Sequence, residues 1–409
     1  MKRVAIYNPY LETKGGGEKV CLAIAEFLSQ NSNTEVTLLT HSDVDINKIS
    51  GYFKLNLESV RISVIDSSSI ILKISHKLRL PNMLKNMIHD VKTYRSIKNG
   101  GYDIFINNCY QSNLPNPCQT GIYMCMFPQK INTSDHSNDR LLKSLLRSIV
   151  MYLYRIFTHP KYKYFIDTYS SITANSEFTK KYVKKYWNRS SSIIYPICDD
   201  MFTKNTTKEK IVLHVGRFFS NIGNSHHKRQ DFLVSTFKDM KELHYDGWEL
   251  HMAGSVAEDV DSLRYILSLL KESEGYPIFF HFNSTYEKLR ELYNKSSIYW
   301  HATGYESDEA RYPEKQEHFG ITTVEAMSAG VVPIVINSAG QKEIVINEFN
   351  GLLWDNKEEL ISSTVNLSHN SVLLTELSKE AIQSSKRFGK ESFSSQIEDI
   401  FSKYIMKDS

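Results

Sequence analysis

The sequence has few of the features that mark metal-binding, disulfide-rich or membrane-spanning proteins. Its 409 residues include only five cysteines, an odd number without any Cys-x-x-Cys spacing. Buried, reduced thiols are therefore expected rather than a metal site or a disulfide framework. No segment reaches the ~18 consecutive apolar residues of a membrane-spanning helix. Because the N-terminus enters a strand pattern at once, without the apolar core of a secretory signal, we expect a cytoplasmic protein.

Two further absences narrow the range of partners. The formal net charge is only +3, which by itself gives no reason to expect nucleic acid as a partner. No Gly-x-Gly-x-x-Gly motif follows a predicted strand, which disfavours a dinucleotide-dependent oxidoreductase. Apolar residues make up 41% and charged residues 23% of the chain. This composition is ordinary for a globular protein, and the length suits two domains.

What the sequence does contain is a repeated alternation of short apolar runs and longer amphipathic segments. Seven runs precede residue 197 and six follow residue 209. Buried strands separated by helices predict parallel, doubly wound sheets. Two series therefore predict two Rossmann-like α/β domains facing each other across a cleft. We expect these domains at 1–198 and 199–390, with the polar segment 198–210 as linker. A C-terminal helix within 391–409 is predicted without a fixed place, and crossing back to the first domain is one option.

The segment "EHFGITTVEAMSAG" carries two glutamates, Glu317 and Glu325, with seven residues between them. Gly320 is predicted to open a helix and Gly330 to end it. Unpaired amides and a partial positive charge let a helix N-terminus hold phosphate. A carboxylate just before the helix would lie near the group that the phosphate carries, and one further along could bind ribose hydroxyls. Two solvated acids beside an amphipathic helix would explain the spacing equally well.

Two more segments offer candidate phosphate ligands. Arg217 follows a predicted strand and Lys228 precedes a predicted helix. Both are expected at the carboxyl edge of the second sheet, where two cations can neutralise a pyrophosphate. The glycines at 15–17 separate the first strand from a helix predicted to start near Glu18, and glycine permits close approach of the backbone to a ligand. Solvated surface charges and a plain flexible turn remain alternatives at these positions.

Together these segments resemble the GT-B glycosyltransferases of the glycogen-synthase-like and mannosyltransferase-like group, often called family 4. The resemblance extends over roughly residues 3–400. It rests on the motifs "GGGEKV", "ITANSEFTKKYV…IIYP", "VGRF…HKRQDFLVSTF", "EHFGITTVEAMSAG" and "SAGQKEIV…NGLLW". Within the group, "HKRQDFLV" and "EHFGITTVEAM" look most like bacterial surface-polysaccharide transferases and the mannosyltransferases of lipid-linked oligosaccharide assembly.

The resemblance implies an enzyme that moves a hexose, guessed to be mannose, from a GDP- or UDP-linked sugar to a glycan or lipid-linked acceptor. The family retains anomeric configuration and needs no metal, so no cofactor is expected. The implied catalytic residues are Arg217 and Lys228, which hold the donor diphosphate, and Glu317, which contacts the donor sugar. Glu325 is implied to bind the nucleotide ribose. The remaining implied donor-binding positions surround the phosphate and the sugar: Phe319, Gly320, Ile321, Gly16 and Gly17.

Two features depart from the family pattern. Met126 stands where members often carry a histidine. The segment "FFSNIGNSHH" lengthens the interval between Arg217 and Lys228, so His226 and His227 are also candidates for the phosphate contact. Two other functions therefore stay open. One is a nucleotide-sugar epimerase that acts on the donor alone, and the other is a non-catalytic protein that binds sugar nucleotides or glycans.

Two basic segments lie in the predicted first domain. Residues 73–98 contain nine basic residues, histidines included, against one acid, and residues 140–165 contain six Lys and Arg against none. In the second segment, aliphatic and aromatic residues recur at helical spacing. Such segments suit an anionic membrane surface, although a helix packed on its own domain with a solvated basic face would give the same pattern. We hypothesise a lipid-linked acceptor and a peripheral position on the inner face of the membrane.

Overall fold

A computed structural model describes residues 1–13, 15–65, 82–130, 141–220, 227–240, 246–257 and 259–405. These residues form two compact units. The first contains Met1–Pro196 and the chain from Ser394 onward, and the second contains Ile197–Phe393. The division falls two residues before the boundary that the sequence predicts. Basic positions at 73–81 and 140, together with His226, lie outside the described residues.

The first unit is built on a parallel sheet of seven strands. In chain order they are β1 (Lys2–Tyr7), β2 (Thr34–Thr40), β3 (Arg61–Val64), β4 (Ile104–Asn107), β5 (Thr120–Cys125), β6 (Ser171–Ala174) and β7 (Ser192–Ile193). Their spatial order is β3-β2-β1-β4-β5-β6-β7. Each strand coincides with one of the predicted apolar runs. The first strand is central and the order reverses beside it, which is the doubly wound arrangement.

Five helices are described in the first unit. They are α1 (Gly16–Ser29), α2 (Ile46–Phe53), α3 (Asn82–Asn99), α4 (Leu141–Thr158) and α5 (Glu177–Trp187). Helix α1 begins at Gly16, two residues before the predicted start near Glu18. The cause is a local cap, because the Glu18 carboxylate accepts a hydrogen bond of 2.8 Å from the amide of Gly15 and so closes the first turn early.

The second unit repeats the architecture with six parallel strands. These are β8 (Ile211–Val215), β9 (Glu249–Gly254), β10 (Ile278–Phe282), β11 (Ile298–His301), β12 (Val332–Ile336) and β13 (Leu352–Trp354). Their spatial order is β10-β9-β8-β11-β12-β13. All six coincide with predicted runs. The order reverses between β8 and β11, so the carboxyl ends of these two neighbours border the place where ligands bind in such sheets.

Eight helices follow β8 in the described part of the chain, and all but the last lie wholly in this second unit. They are α6 (Gln230–Asp239), α7 (Val260–Glu272), α8 (Tyr286–Lys295), α9 (Ile321–Ser328), α10 (Gln341–Ile344), α11 (Lys357–His369), α12 (Ser371–Ser385) and α13 (Lys390–Ile405). Large aromatic side chains fill the core beneath them, with Phe237, Trp300 and Trp354 fully buried. Helix α13 begins in the second unit and from Ser394 belongs to the first. There the side chain of Gln396 accepts a hydrogen bond of 2.9 Å from the Tyr195 amide.

The polar segment predicted as a linker forms neither helix nor strand, but it is tied to the second unit. The Met201 amide donates to the Ser328 hydroxyl at 2.9 Å, and the Asn294 side chain donates to the Met201 carbonyl at 2.6 Å. Further along, the Lys208 ammonium donates to the carbonyl oxygens of Ala329 at 2.8 Å and Tyr293 at 3.2 Å. The segment therefore lies along one end of α8 and α9.

Two expectations from composition can be compared directly with the structure. Four of the five cysteines are buried free thiols, as predicted, whereas Cys118 is half-buried. Among the helices that the structure describes, none combines the length and the apolar character needed to cross a lipid bilayer.

Candidate active site

The loop between β11 and α9 reaches the helix through a glycine that no other residue could replace without strain. Gly320 caps α9 with φ of 118° and ψ of 61°, a conformation that side chains rarely adopt. A Cβ at this position would lie 2.2 Å from the Gln341 side-chain nitrogen. Both the backbone conformation and the space therefore require glycine. The first amides of α9 remain without intrahelical acceptors, as at any helix N-terminus.

A turn that follows β12 clamps the same loop from behind. The amide of Gly340 donates to the Glu317 carbonyl at 3.0 Å. The buried Gln341 side chain donates to the Phe319 carbonyl at 3.3 Å and accepts from the Thr323 hydroxyl at 2.9 Å. These bonds fix the backbone on both sides of Gly320. The motif "SAGQ" thus supports the loop that carries the first glutamate.

One carboxylate oxygen of Glu317 contacts both a lysine and a histidine. Its Oε2 lies 2.5 Å from the Lys228 ammonium and 3.3 Å from Nε2 of His301. No residue within the described ranges bonds to its Oε1. The Glu317 side chain is 20% exposed, whereas that of His301 is 1% exposed. The carboxylate therefore has one oxygen held by protein and one left for a ligand.

The charge state of this group follows from its surroundings. Burial alone would raise the pKa of Glu317, but the charge of Lys228 and the hydrogen bond from His301 outweigh it and hold that pKa well below its usual value. Burial lowers the pKa of His301, against the opposing effect of Glu317, and lowers the pKa of nearby His214 to about 3. Glu317 is thus ionised at neutral pH, and both imidazoles are neutral.

The second glutamate lies inside α9 and is held by a tyrosine. Glu325 is 8% exposed, and its Oε2 accepts a hydrogen bond of 3.2 Å from the hydroxyl of Tyr293 in α8. The Lys208 ammonium bonds to the backbone carbonyl of this tyrosine and to that of Ala329, the C-cap of α9. Burial lowers the pKa of Lys208 to about 7, and this one lysine of the polar segment joins the two elements that position Glu325.

Arg217 and Lys228 both lie at the carboxyl end of β8. Arg217 is exposed and makes no ion pair with any residue that the structure describes. The stem of Lys228 passes Gly216, where a Cβ would lie 3.1 Å from its Cγ. Because β8 and β11 are neighbours, these cations, Glu317 and the start of α9 share one sheet edge. This edge lies at the topological switch point, where anionic ligands bind in doubly wound sheets.

The structure separates His227 from this group. Its side chain is 8% exposed and contacts the rings of Phe219 and Tyr265, with centroids 6.5 and 5.1 Å away. Lys228, not His227, extends to Glu317. Of the three candidates left open by the sequence, Lys228 is thus the described residue that reaches the carboxylate.

The remaining predicted ligands belong to the first unit and are described within it. Gly16 and Gly17 form the first turn of α1 rather than a loop before it. A Cβ at Gly17 would lie 2.7 Å from the terminal methyl of Met126, and the Gly17 carbonyl accepts a hydrogen bond of 2.9 Å from the Asn108 side chain. Met126 therefore lies directly against the glycine turn, in the place where the family often carries a histidine.

Several residues of the site escaped prediction from sequence. Tyr293 and His301 sit within an ordinary helix and strand pattern, and nothing in their local sequence marks them as polar partners of a glutamate. Gln341 follows a glycine, which predicts a turn of the backbone but gives no indication of a role for the Gln341 side chain. Only the shared motif "SAGQ" could have indicated that this turn supports the site.

The geometry of the second unit agrees with comparisons of sequence. Residues 199–387 match the family model described as glycosyl transferases group 1. The Xenopus laevis protein named GDP-Man:Man(3)GlcNAc(2)-PP-Dol alpha-1,2-mannosyltransferase is 25% identical over 384 residues, covering 84% of this chain and 75% of that protein. The Homo sapiens protein of the same name is 22% identical and covers 95% and 84% of the two chains.

Solved structures agree with the whole architecture. HepE of Anabaena, crystallised with UDP-glucose, has a TM-score of 0.66 and 13% identity, covering 98% of this chain and all of that one. Sucrose-phosphate synthase of Thermosynechococcus elongatus has a TM-score of 0.66 and 14% identity, with 99% and 100% coverage. At such identities the likeness concerns the fold. With the sequence matches, it shows a glycosyltransferase of the GT-B fold, in which residues 199–387 of the second unit match the glycosyl transferases group 1.

Proposed function

We propose that the enzyme transfers a hexose from a nucleoside-diphosphate sugar, GDP-mannose first, to a lipid-linked glycan with retention of anomeric configuration. The observation that carries this proposal is the placement of Arg217, Lys228 and Glu317 at one edge of the sheet, beside the N-terminus of α9. Cations and helix amides suit a diphosphate, and the unoccupied Oε1 of Glu317 suits a sugar hydroxyl. The choice of mannose rests on the names of the relatives.

The proposed chemistry follows from where charge develops. As the sugar leaves, negative charge grows on the departing phosphate oxygen while the sugar becomes oxocarbenium-like. Arg217, Lys228 and the first amides of α9 would stabilise that oxygen. Removal of one such preorganised donor typically slows a reaction by about 10²–10³-fold. Glu317 would orient the sugar, and Glu325, held by Tyr293, would bind the ribose.

The two cations also bear on the need for a metal ion. In many enzymes that act on diphosphates, a divalent ion neutralises the charge of the phosphates. Here two cationic side chains and a helix N-terminus offer positive charge at the same edge, and so we propose that turnover needs no divalent ion. Assays in EDTA and with added Mg²⁺ or Mn²⁺ should give the same rate within about twofold. A strict dependence on the ion would contradict this part of the proposal.

The donor is tested by binding and by product analysis. Calorimetry with GDP, UDP, GDP-mannose and UDP-glucose identifies the base and shows whether the sugar adds affinity. Incubation of the preferred donor with a polyprenyl-diphosphate-linked oligosaccharide then separates three outcomes. A new glycosidic bond supports transfer, an altered free nucleotide sugar indicates epimerisation, and binding without any product indicates a non-catalytic protein.

The exposed face of α4 favours a lipid-linked acceptor over a soluble one. Among the side chains described in α4, those of residues 148–158, a narrow stripe of Val150, Tyr154 and Thr158 packs inward. The other large apolar side chains at 148–158 are exposed: Ile149, Met151, Tyr152, Leu153, Ile156 and Phe157. Monomeric soluble proteins rarely expose such a cluster without a partner. The helix sequence has three cations and no acid, which suits the surface of an anionic membrane.

A further inference from the structure

The ion pair between Lys228 and Glu317 raises a question about the donor complex. In the structure the ammonium lies 2.5 Å from Oε2 of Glu317. In the proposed function the same ammonium must approach a diphosphate, whose greater negative charge competes for it. As the ammonium moves, its attraction to the Glu317 carboxylate weakens. The carboxylate then needs another contact to stay in position beneath the sugar.

His301 supplies such a contact from the core. It is the last residue of β11, and its side chain is 1% exposed. Its Nε2 lies 3.3 Å from the same Oε2 that Lys228 approaches. Nδ1 is buried and has no hydrogen-bond partner among the residues that the structure describes. The arrangement selects the neutral tautomer with its proton on Nε2, because only that tautomer donates to the carboxylate.

We propose that His301 is a positioning residue that holds Oε2 of Glu317 when Lys228 moves to the diphosphate. Oε1 would then stay directed at a hydroxyl of the donor sugar throughout the exchange. This inference rests on the proposed function, because it assigns the exchange of Lys228 to a diphosphate donor. His301 itself touches neither the diphosphate nor the sugar.

Other neighbours do not serve this purpose. His214 lies in the same buried region, but its Nδ1 lies 3.0 Å from the Trp300 carbonyl, and its Nε2 has no partner among the described residues. The hydroxyl of Tyr299 is hydrogen-bonded to the Thr322 side chain at 2.8 Å. Among the described residues, His301 is thus the one uncharged donor in contact with the Glu317 carboxylate.

Two polar substitutions separate positioning from mere packing. His301→Gln carries an amide nitrogen to about the place of Nε2 and keeps a donor for Glu317. His301→Asn keeps a polar side chain, but its amide lies near the place of Nδ1 and cannot reach the carboxylate. Calorimetry with GDP and GDP-mannose, and with UDP and UDP-glucose, measures how much the sugar adds to the affinity. Thermal unfolding and circular dichroism establish that each variant is folded.

We expect His301→Asn to lose about 10- to 100-fold of the affinity that the sugar adds, which is typical for a lost hydrogen bond to a charged group. Affinity for GDP alone should stay within about twofold, and His301→Gln should restore the sugar contribution. In a Glu317→Ala background, His301→Asn should change nothing further, because two residues that act through one contact are not additive.

Four results would contradict these expectations, in different ways. Equal losses in His301→Gln and His301→Asn, or an unchanged sugar contribution in both, would overturn the positioning role alone. A full additional loss in the Glu317→Ala background would also overturn it, because His301 would then act by another route. Failure of the wild-type protein to bind either nucleoside diphosphate would instead overturn the proposed function, and the role of His301 with it.

Discussion

At the scale of single residues, the two cations at the end of β8 differ in what they contact. Arg217 is exposed without an ion pair in the described part of the chain, whereas Lys228 is already engaged with Glu317. A diphosphate ligand could therefore bind Arg217 without breaking an existing ion pair. It could bind Lys228 only by replacing Glu317 as the partner of the ammonium. Both should stabilise the leaving phosphate, although by different routes.

This difference leads to a prediction about turnover. Lys228→Ala and Arg217→Ala should each lower kcat with the preferred donor by about 10²–10³-fold, because each removes positive charge from the leaving group. Lys288→Ala, which alters a surface lysine paired with Glu291, is the matched control and should leave the rate unchanged. Steady-state kinetics would check this, with thermal unfolding as evidence of folding. Wild-type turnover in both active-site variants would refute the assignment.

The glycine at the start of α9 gives a second prediction at this scale. Gly320→Ala places a methyl group 2.2 Å from the Gln341 side chain in a backbone conformation that alanine avoids. The strain should cost about 1–3 kcal/mol of stability and shift the first amides of α9. We therefore expect weaker binding of GDP or UDP together with a lower unfolding midpoint. Gly275→Ala, another glycine with positive φ but with open space around it, should lower stability without affecting nucleotide binding.

At the scale of elements, sequence periodicity predicted the strands of the sheets better than it predicted helix starts and the contacts between distant loops. All thirteen apolar runs are strands, because a buried parallel strand must be apolar on both faces. The start of α1 differed by two residues, since the Glu18 cap closes the turn early. The clamp of Gly340 and Gln341 on the loop at Glu317 joins residues more than 20 positions apart. Local periodicity carries no information about such contacts.

The polar segment before β8 also makes contacts that local periodicity does not predict, and it gives a third prediction. It was predicted as a linker from its lack of apolar periodicity, yet Lys208 joins the carbonyls of Tyr293 and Ala329. Lys208→Met should cost about 1–2 kcal/mol of stability, because two carbonyls at helix ends lose the donor that they share.

The same variant should also weaken nucleotide binding several-fold, because Glu325 depends on the two elements that Lys208 joins. Lys210→Met is the matched control, since its ammonium donates to a single loop carbonyl, that of Asp246. Urea unfolding and calorimetry with GDP or UDP would measure both effects. If the two variants lose stability and affinity equally, Lys208 has no special part in positioning α8 and α9.

At the scale of the whole molecule, two helices of different charge each expose a group of large apolar side chains. Helix α4 exposes Tyr152 by 56% and Phe157 by 51%, and α7 exposes Leu263 by 48% and Leu267 by 64%. The sequence of α4 contains three cations and no acid, whereas α7 contains two cations and three acids when its N-cap Asp259 is included. An anionic bilayer should therefore distinguish them, because apolar contact and charge attraction act together only at α4.

We accordingly expect the protein to sediment with vesicles containing phosphatidylserine at low salt and to be released as salt screens the attraction. Tyr152→Ser with Phe157→Ser should lower the partition coefficient about tenfold or more, since each aromatic side chain contributes about 1.5–3 kcal/mol when fully buried. Leu263→Ser with Leu267→Ser removes comparable exposed apolar surface from α7 and should leave binding unchanged. Equal effects of the two double substitutions would show that exposed apolar area alone governs sedimentation. Binding that ignores salt and phosphatidylserine would show that the basic residues of α4 have no part in it.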